Sequence, residues 1–173
     1  MELGKIIKTF KSKKGNDVVF RNIRLDDLDG MLAYANALIA EDTFVELSGK
    51  PLTRKEEEKT LRKTLDQIKK GNKVEVVAEI NGVYCGSGEI RIGSRRHSHV
   101  GEIGISLAKA FREEGIGTEL LNTLIAEAKK LHVRLLTLYC FDNNERALHV
   151  YEKFGFTRAG VVPGAINYKN QYV

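Results

Sequence analysis

Cysteine is scarce in this sequence, with Cys85 and Cys140 the only two among 173 residues. Two cysteines are too few for a disulfide framework, and neither belongs to a CxxC motif. No stretch approaches the roughly 20 apolar residues that a membrane-spanning helix needs. The first residues, MELGKIIKTFKSKKG, have neither a long apolar segment nor a small-residue cleavage site, so they do not resemble a secretion signal. These absences predict a cytoplasmic protein with no membrane partner.

Charge of one sign is also not dominant, because 28 lysines and arginines face 23 acidic residues for a net charge of +5. A mild positive excess favours an anionic ligand. Two polar clusters fall in predicted turns: Lys11, Lys13 and Lys14 in the first, and Arg95, Arg96, His97 and His99 in the second. The lysines lack interleaved aromatic residues, and no carboxylate or cysteine joins the histidines at ligand spacing. We therefore predict no nucleic-acid partner and no metal.

The chain is organised around residues 100–127, which predict a strand, a tight turn and a helix. From Glu102 to Leu107 apolar and polar residues alternate, as in a strand with two unlike faces. An apolar stripe at helical spacing follows: Ile116, Leu120, Leu121, Leu124, Ile125, Ala128 and Leu131. Gly115 and Gly117 stand between them, where free N–H groups at a helix start suit a phosphate. A plain strand-to-helix turn remains the alternative at this point.

The remaining predicted elements alternate short strands with helices. They are a hairpin over residues 5–25, helices starting near Leu28 and Thr53, a hairpin around Asn81-Gly82, a strand over Arg134–Phe141, a helix capped by Asp142 with Glu145 and ended at Gly155, and strands over Thr157–Val162 and Ala165–Tyr168. There is no internal repeat, low-complexity tract or linker. The pattern predicts one domain, residues 1–173, with a mixed sheet and helices on both faces, in the α/β (α+β) class.

Two motifs in the expected order carry a family resemblance. Arg112, Gly115 and Gly117 form R-x-x-G-x-G after a strand, and an N-x-x-A-x-x-x-Y-x-x-x-G-F motif follows at Asn144, Ala147, Tyr151, Gly155 and Phe156. Together they resemble the GNAT superfamily of N-acetyltransferases, closest to its phosphinothricin-, spermidine- and ribosomal-protein-type branch. The resemblance implies a mostly antiparallel central sheet with a splayed parallel strand pair, formed by residues 102–107 and 134–141.

The resemblance also implies acetyl-CoA as the acyl donor. The pantetheine arm would pair with the backbone of Ile105, Ser106 and Leu107. The pyrophosphate would lie on the turn formed by Arg112, Glu113, Glu114, Gly115, Ile116, Gly117 and Thr118. Asn144, Ala147 and Tyr151 would complete the cofactor site from the second motif. From the residues alone, Arg112 could equally be a solvated charge and Asn144 a helix N-cap.

Amine acetylation poses two proton problems, which the resemblance assigns to two residues. Tyr151 would give a proton to the leaving sulfur, although its spacing also fits a buried aromatic residue. Glu102 would accept the proton of the amine, with Glu89 as a second candidate and a surface-facing strand residue as the alternative. No histidine is placed to activate either cysteine for an acyl-cysteine relay, so both are predicted to be buried free thiols.

The resemblance therefore predicts an N-acetyltransferase that works by direct attack of a primary amine on acetyl-CoA in a ternary complex. The acceptor would be a small amine, an amino acid analogue or a protein amine, and a homodimer is common in such families. A non-catalytic CoA-binding sensor of the same fold is the alternative. A Rossmann enzyme is discounted because Leu120 replaces the third glycine, and a P-loop because no G-K-[ST] follows.

Overall fold

A computed structural model describes residues 2–172, which fall into two compact units that divide between Leu138 and Tyr139. The first unit holds a six-stranded sheet with three helices, and the second holds one helix and a short hairpin. The expectation of a single domain stays a prediction. Among the helices described, none combines the length and the apolar character that a membrane crossing requires.

The sheet of the first unit is antiparallel except at one edge. Its strands lie side by side in chain order: β1 (Ile6–Lys11), β2 (Asp17–Asn22), β3 (Lys73–Ile80), β4 (Val83–Ile92), β5 (Val100–Leu107) and β6 (Leu135–Thr137). Neighbours from β1 to β5 pair antiparallel, whereas β5 and β6 pair parallel. The predicted mixed, mostly antiparallel sheet with a parallel pair is confirmed.

Helices cover both faces of this sheet, as predicted. On one face, α1 (Leu28–Glu41) and α2 (Arg54–Lys69) bury an apolar cluster of Ile23, Met31, Leu61, Ile68 and Val77. On the other face, α3 (Ile116–Lys130) packs so closely on β4 that a Cβ atom at Gly88 would lie 2.7 Å from Leu124 Cδ1. The predicted capping box of α2 is present, since the Thr53 side chain accepts from Glu56 N and Glu56 accepts from Thr53 N.

The parallel pair is short. It runs over three residue pairs, from Val100 with Leu135 to Glu102 with Thr137, and then stops. The strand predicted over Arg134–Phe141 was therefore too long, because only its first part runs beside β5. From Ile103 to Leu107, β5 pairs with β4 alone among the residues described. One edge of β5 is thus left with backbone groups that no strand of the described chain uses.

The second unit contains α4 (Glu145–Lys153) and a hairpin of β7 (Asn167–Tyr168) and β8 (Gln171–Tyr172). The N-cap of α4 is Asn144, whose side chain accepts from Ala147 N at 3.3 Å, so the cap predicted at Asp142 was wrong. Gly155 ends the helix with φ of +84°, as predicted. The strand predicted over residues 157–162 does not form, because this segment is exposed and no strand in the described chain pairs with it.

Candidate active site

The turn between β5 and α3 presents unused backbone donors. Gly115 is the N-cap residue of α3 and takes a left-handed conformation with φ of +82°, which L side chains rarely adopt. The first backbone hydrogen bond of the helix is the one that Glu119 N donates to Gly115 O at 3.1 Å. The N–H groups of Ile116, Gly117 and Thr118 therefore have no acceptor within the helix. Together with the helix dipole, they form a positive end that suits a phosphate.

The residues around this helix start differ in how deeply they are buried. A Cβ atom at Gly117 would lie 3.3 Å from Leu107 Cδ1, so the turn is tightly packed against the end of β5. Ile116 is fully buried in the core, so that its backbone alone could face a ligand, while Thr118 is exposed. The three residues at the end of β5, Ile105, Ser106 and Leu107, are each half-buried. The structure thus brings the predicted strand and turn residues together in the first unit.

The guanidinium of Arg112 is held by two partners rather than solvated. Its Nε donates to the carbonyl of Leu107 at 2.9 Å, and its two terminal nitrogens bind the two carboxylate oxygens of Glu41 at 2.5 and 2.8 Å. A bidentate pair of this kind is strong and fixes orientation. The interpretation of Arg112 as a solvated charge was wrong, because Glu41, the last residue of α1, holds the guanidinium. Its role had no signal in the sequence beyond its charge.

Glu114 points away from the helix start and into the turn of the β1–β2 hairpin. Its Oε2 accepts from Ser12 Oγ at 2.7 Å and from Asn16 Nδ2 at 2.8 Å, and Lys14 Nζ lies 3.3 Å from Oε1. These hydrogen bonds, helped by the lysine charge and opposed by burial, lower the pKa of Glu114. The Glu114 carboxylate is therefore ionised and is held by the hairpin, with Lys14 partly offsetting its negative charge.

We predict that Glu114→Gln destabilises the protein most at neutral pH. The folded-state pKa of Glu114 lies below its ordinary value of 4.5, so its contribution is present above that value and is lost as pH falls through the folded pKa. Thermal melts of wild type and variant should differ clearly at pH 7 and converge in acid. Glu113→Gln, at the exposed neighbouring position, is the matched control and should change the melt less. A difference independent of pH would contradict the prediction.

Glu102, the predicted base, lies on the sheet face covered by α1 and α2, within a row of charged residues. Arg91 Nη2 lies 2.6 Å from Glu102 Oε1, and Arg91 Nε lies 3.3 Å from Glu89 Oε1. Lys73 Nζ lies 2.5 Å from the other oxygen of Glu89. Arg91 thus joins both candidate carboxylates. The side chain of Glu102 remains 34% exposed, which leaves it reachable from solvent.

Two further observations refine this face. The Glu89 carboxylate lies over Gly104, where a Cβ atom would come within 3.5 Å of its Oε1, just beyond the last β5–β6 pair. Glu75 is buried on the same face, and burial raises its pKa despite Lys73 Nζ at 2.8 Å. Neither Glu75 nor Arg91 was predicted from the sequence as a site residue. The sequence did contain a signal for them. Glu75 in β3 and Arg91 in β4 stand at alternate positions of their strands, which places both on the same face as Glu89.

An open polar cleft of about 610 Å³ lies beside this charged row, between α2 and the start of β3. Lys63 and Thr64 line it from the helix, and Lys73, Glu89 and Arg91 line it from the strands. Further along the same face, Tyr34 of α1 donates a hydrogen bond to Ser106 Oγ at 2.8 Å, and burial raises the pKa of this tyrosine. The part of this face that borders the cleft is therefore polar, and its carboxylates are candidate proton acceptors.

In the second unit, the structure places the residues of the second motif at the start and middle of α4. Asn144 and Ala147 are joined by the capping hydrogen bond, so the alternative reading of Asn144 as an N-cap is confirmed. Tyr151 is half-buried, and its ring packs edge-on against Phe156 with centroids 6.0 Å apart. Burial, with a smaller contribution from Cys140, raises the pKa of Tyr151 to about 12. The tyrosine is therefore protonated at neutral pH.

This chain is similar in sequence to known acetyltransferases. The model of the acetyltransferase (GNAT) family matches residues 40–156. The uncharacterized N-acetyltransferase MJ1207 of Methanocaldococcus jannaschii is 30% identical over 95% of this chain and 68% of its own length. YwnH of Bacillus subtilis, named for phosphinothricin acetyltransferase, is 32% identical over 42% of this chain, which spans only 44% of that relative.

The fold has solved counterparts. The structure of RimL, a ribosomal L7/L12 alpha-N-protein acetyltransferase in complex with coenzyme A, superposes with a TM-score of 0.82 over 97% of this chain and 93% of its own. At 16% identity this similarity shows the fold alone. The family model covers well over half of the chain and includes both motifs. The chain belongs to the GNAT family of acetyltransferases.

Proposed function

We propose that this protein transfers an acetyl group from acetyl-CoA to a primary amine by direct attack in a ternary complex. The observation that carries the proposal is the helix start at Gly115, where free N–H groups stand next to the unpaired edge of β5. A diphosphate and an extended amide-bearing arm are the two parts of a CoA molecule that such features would bind. When bound, acetyl-CoA supplies an activated acetyl thioester.

Donor binding would use backbone more than side chains. The turn from Arg112 to Thr118 would hold the pyrophosphate, and Ile105 to Leu107 would pair with the pantetheine arm as an added strand pairs with a sheet edge. The Arg112–Glu41 pair supports this arrangement, because Arg112 also binds the carbonyl of Leu107 and so joins the turn to the strand end. We propose that Asn144, the N-cap residue of α4, and Ala147 within this helix also contact the cofactor.

We assign the base to Glu102. An alkyl ammonium has a pKa of about 10, so at neutral pH the amine needs an acceptor for its proton before it can attack. Glu102 is the last β5 residue paired with β6, and its side chain is 34% exposed, so an amine can reach it from solvent. Glu89 is the second candidate because it shares Arg91 and lies over Gly104.

Tyr151 is the proposed partner of the leaving sulfur. Its pKa of about 12 exceeds that of an ordinary thiol, about 8.5, by more than three units. Complete proton transfer from tyrosine to a thiolate would therefore be unfavourable by about three powers of ten. We propose that Tyr151 acts mainly by donating a hydrogen bond to the sulfur as negative charge develops there.

The test of the function is turnover across an amine panel. The whole chain should release free thiol from acetyl-CoA with at least one small amine, amino acid or peptide N-terminus, and mass spectrometry should find that acceptor heavier by one acetyl group. Reactions without the protein and reactions without the amine serve as blanks. Binding of CoA with thiol release at background for every amine would favour the CoA-binding sensor instead.

Glu102→Gln is expected to lower kcat/KM by about 100-fold at pH 7, within the usual range for loss of a general base. The remaining rate should rise with pH toward the pKa of the free amine, because the variant depends on amine that is already deprotonated. The measurement is the pH profile of kcat/KM with one accepted amine.

Glu89→Gln is the matched control, since it removes a carboxylate that contacts the same arginine. It should retain the wild-type pH profile if Glu102 is the base. The reverse pattern, with an altered profile for Glu89→Gln and an unchanged one for Glu102→Gln, would move the assignment to Glu89.

A further inference from the structure

The turn of the β1–β2 hairpin is joined to the R-x-x-G-x-G turn. Lys13 N donates to Glu114 O at 2.9 Å, in addition to the side-chain bonds that Ser12 and Asn16 make to the Glu114 carboxylate. Lys8 of β1 also pairs with Glu119 in the first turns of α3, with 2.5 Å between Nζ and Oε1. The hairpin therefore has a fixed position against the start of this helix.

This attachment places the stem of Lys13 over the helix N-cap. A Cβ atom at Gly115 would lie 3.5 Å from Lys13 Cε and 3.6 Å from its Cγ. The lysine is exposed, and its stem lies at the N-cap residue, one position before the free N–H groups of the first helical turn. The lysines of this turn could not be distinguished from solvated residues in the sequence, because a contact with a turn about a hundred residues later leaves no local pattern.

Lys13 differs from the other two lysines of the cluster. Lys11 Nζ is 2.8 Å from Asp17 Oδ2, and Lys14 Nζ is 3.3 Å from Glu114 Oε1. Among residues 2–172, no carboxylate lies within ion-pair distance of Lys13. Its charge is thus available for an external anion.

The R-x-x-G-x-G turn itself offers no free cation to a phosphate. Its two variable positions before Gly115 are both acidic, Glu113 and Glu114. The guanidinium of Arg112 is occupied by Glu41 and Leu107. The backbone donors of the turn therefore lack a neighbouring positive side chain from their own segment, and Lys13 is placed to supply one from another part of the chain.

We propose that Lys13 binds a phosphate group of coenzyme A, adding to the backbone donors of the R-x-x-G-x-G turn. This inference rests on the proposed function, since it presumes that this turn holds the donor. CoA offers two sources of the same chemistry, the pyrophosphate and the 3′-phosphate. The ammonium of Lys13 hydrogen-bonds one of them and compensates for the acidic residues of the turn.

The test is calorimetric titration of the whole chain with CoA and with 3′-dephospho-CoA, for wild type, Lys13→Gln and Lys11→Gln. Lys13→Gln should weaken CoA binding by about three- to tenfold, as expected for an exposed charged contact, and the loss should shrink at high salt. Lys11→Gln removes one charge from the same hairpin but leaves Lys13 in place, so its affinity should match wild type. Lys13→Arg should recover most of the loss.

The two ligands identify the phosphate. A loss confined to CoA assigns Lys13 to the 3′-phosphate, and equal losses for both ligands assign it to the pyrophosphate. Unchanged affinity in Lys13→Gln, or an equal loss in Lys11→Gln, overturns the inference while the proposed function stands. Absence of CoA binding by wild type would instead reject the proposed function. Because Lys13 is exposed and its backbone contact survives substitution, thermal melts should show that all variants are folded.

Discussion

Gly115→Val should reduce CoA affinity by at least about 100-fold, which corresponds to about 2.8 kcal/mol at 1.4 kcal/mol per factor of ten. A β-branched residue in the left-handed conformation of Gly115 is strained by about 1–2 kcal/mol. Its side chain would also meet Lys13, whose Cε lies 3.5 Å from the Cβ position, and would stand at the helix start that we propose for the pyrophosphate. Titration calorimetry with CoA measures the effect.

Gly71→Val is the matched control for this variant. Gly71 also has a left-handed backbone, with φ of +74°, and nothing lies within 4 Å of a Cβ atom there. It follows the C-terminal end of α2, so the valine imposes comparable backbone strain away from the turn. Both variants should be less stable to heat than wild type, and only Gly115→Val should lose affinity for CoA. Retained CoA affinity in a folded Gly115→Val protein would remove the turn from the donor site.

Tyr151→Phe should lower kcat by about 100-fold while CoA affinity changes little. The variant loses the proposed hydroxyl hydrogen bond to the sulfur but keeps the ring that packs on Phe156, so α4 should remain intact. Because burial raises the pKa of Tyr151 to about 12, no ionisation of this residue should appear in the wild-type rate profile between pH 6 and 10. Steady-state kinetics across that pH range, with calorimetry for CoA, test both statements.

Tyr139→Phe controls for the loss of a tyrosine hydroxyl from the second unit. Tyr139 is 76% exposed and belongs to neither motif, so its substitution should leave kcat unchanged. Comparable losses in the two variants would contradict a specific role for Tyr151. A change in the wild-type rate near pH 9 that is absent from Tyr151→Phe would contradict the raised pKa of Tyr151.

Features set by local chemistry could be predicted from the sequence. The Thr53–Glu56 capping box, the left-handed glycine after α4 and the start of α3 at a glycine each depend on residues a few positions apart. The Asn81-Gly82 turn between β3 and β4 is likewise local. The length of β6 could not be predicted in this way, because residues with strand propensity form a strand only where a neighbour pairs with them.

The parts of the site that the sequence did not reveal are contacts between distant positions. Arg112 and Glu41 are separated by 71 residues, and Ser12 and Glu114 by 102. Each of these side chains is charged or polar and therefore fits a solvated surface equally well when seen alone. Only the packing of the hairpin and of α1 against the turn distinguishes a held side chain from a solvated one.

The bidentate pair between Arg112 and Glu41 has a consequence for how this protein could evolve to accept a different amine. Glu41 is the last residue of α1, after which the chain enters the segment leading to α2. We propose that this segment borders the amine. A substitution that shifts it would also move Glu41 and hence Arg112, which binds the carbonyl of Leu107 at the end of β5. Selection for a new acceptor would therefore also change the proposed donor site, and we expect acceptor choice and donor affinity to vary together among natural variants.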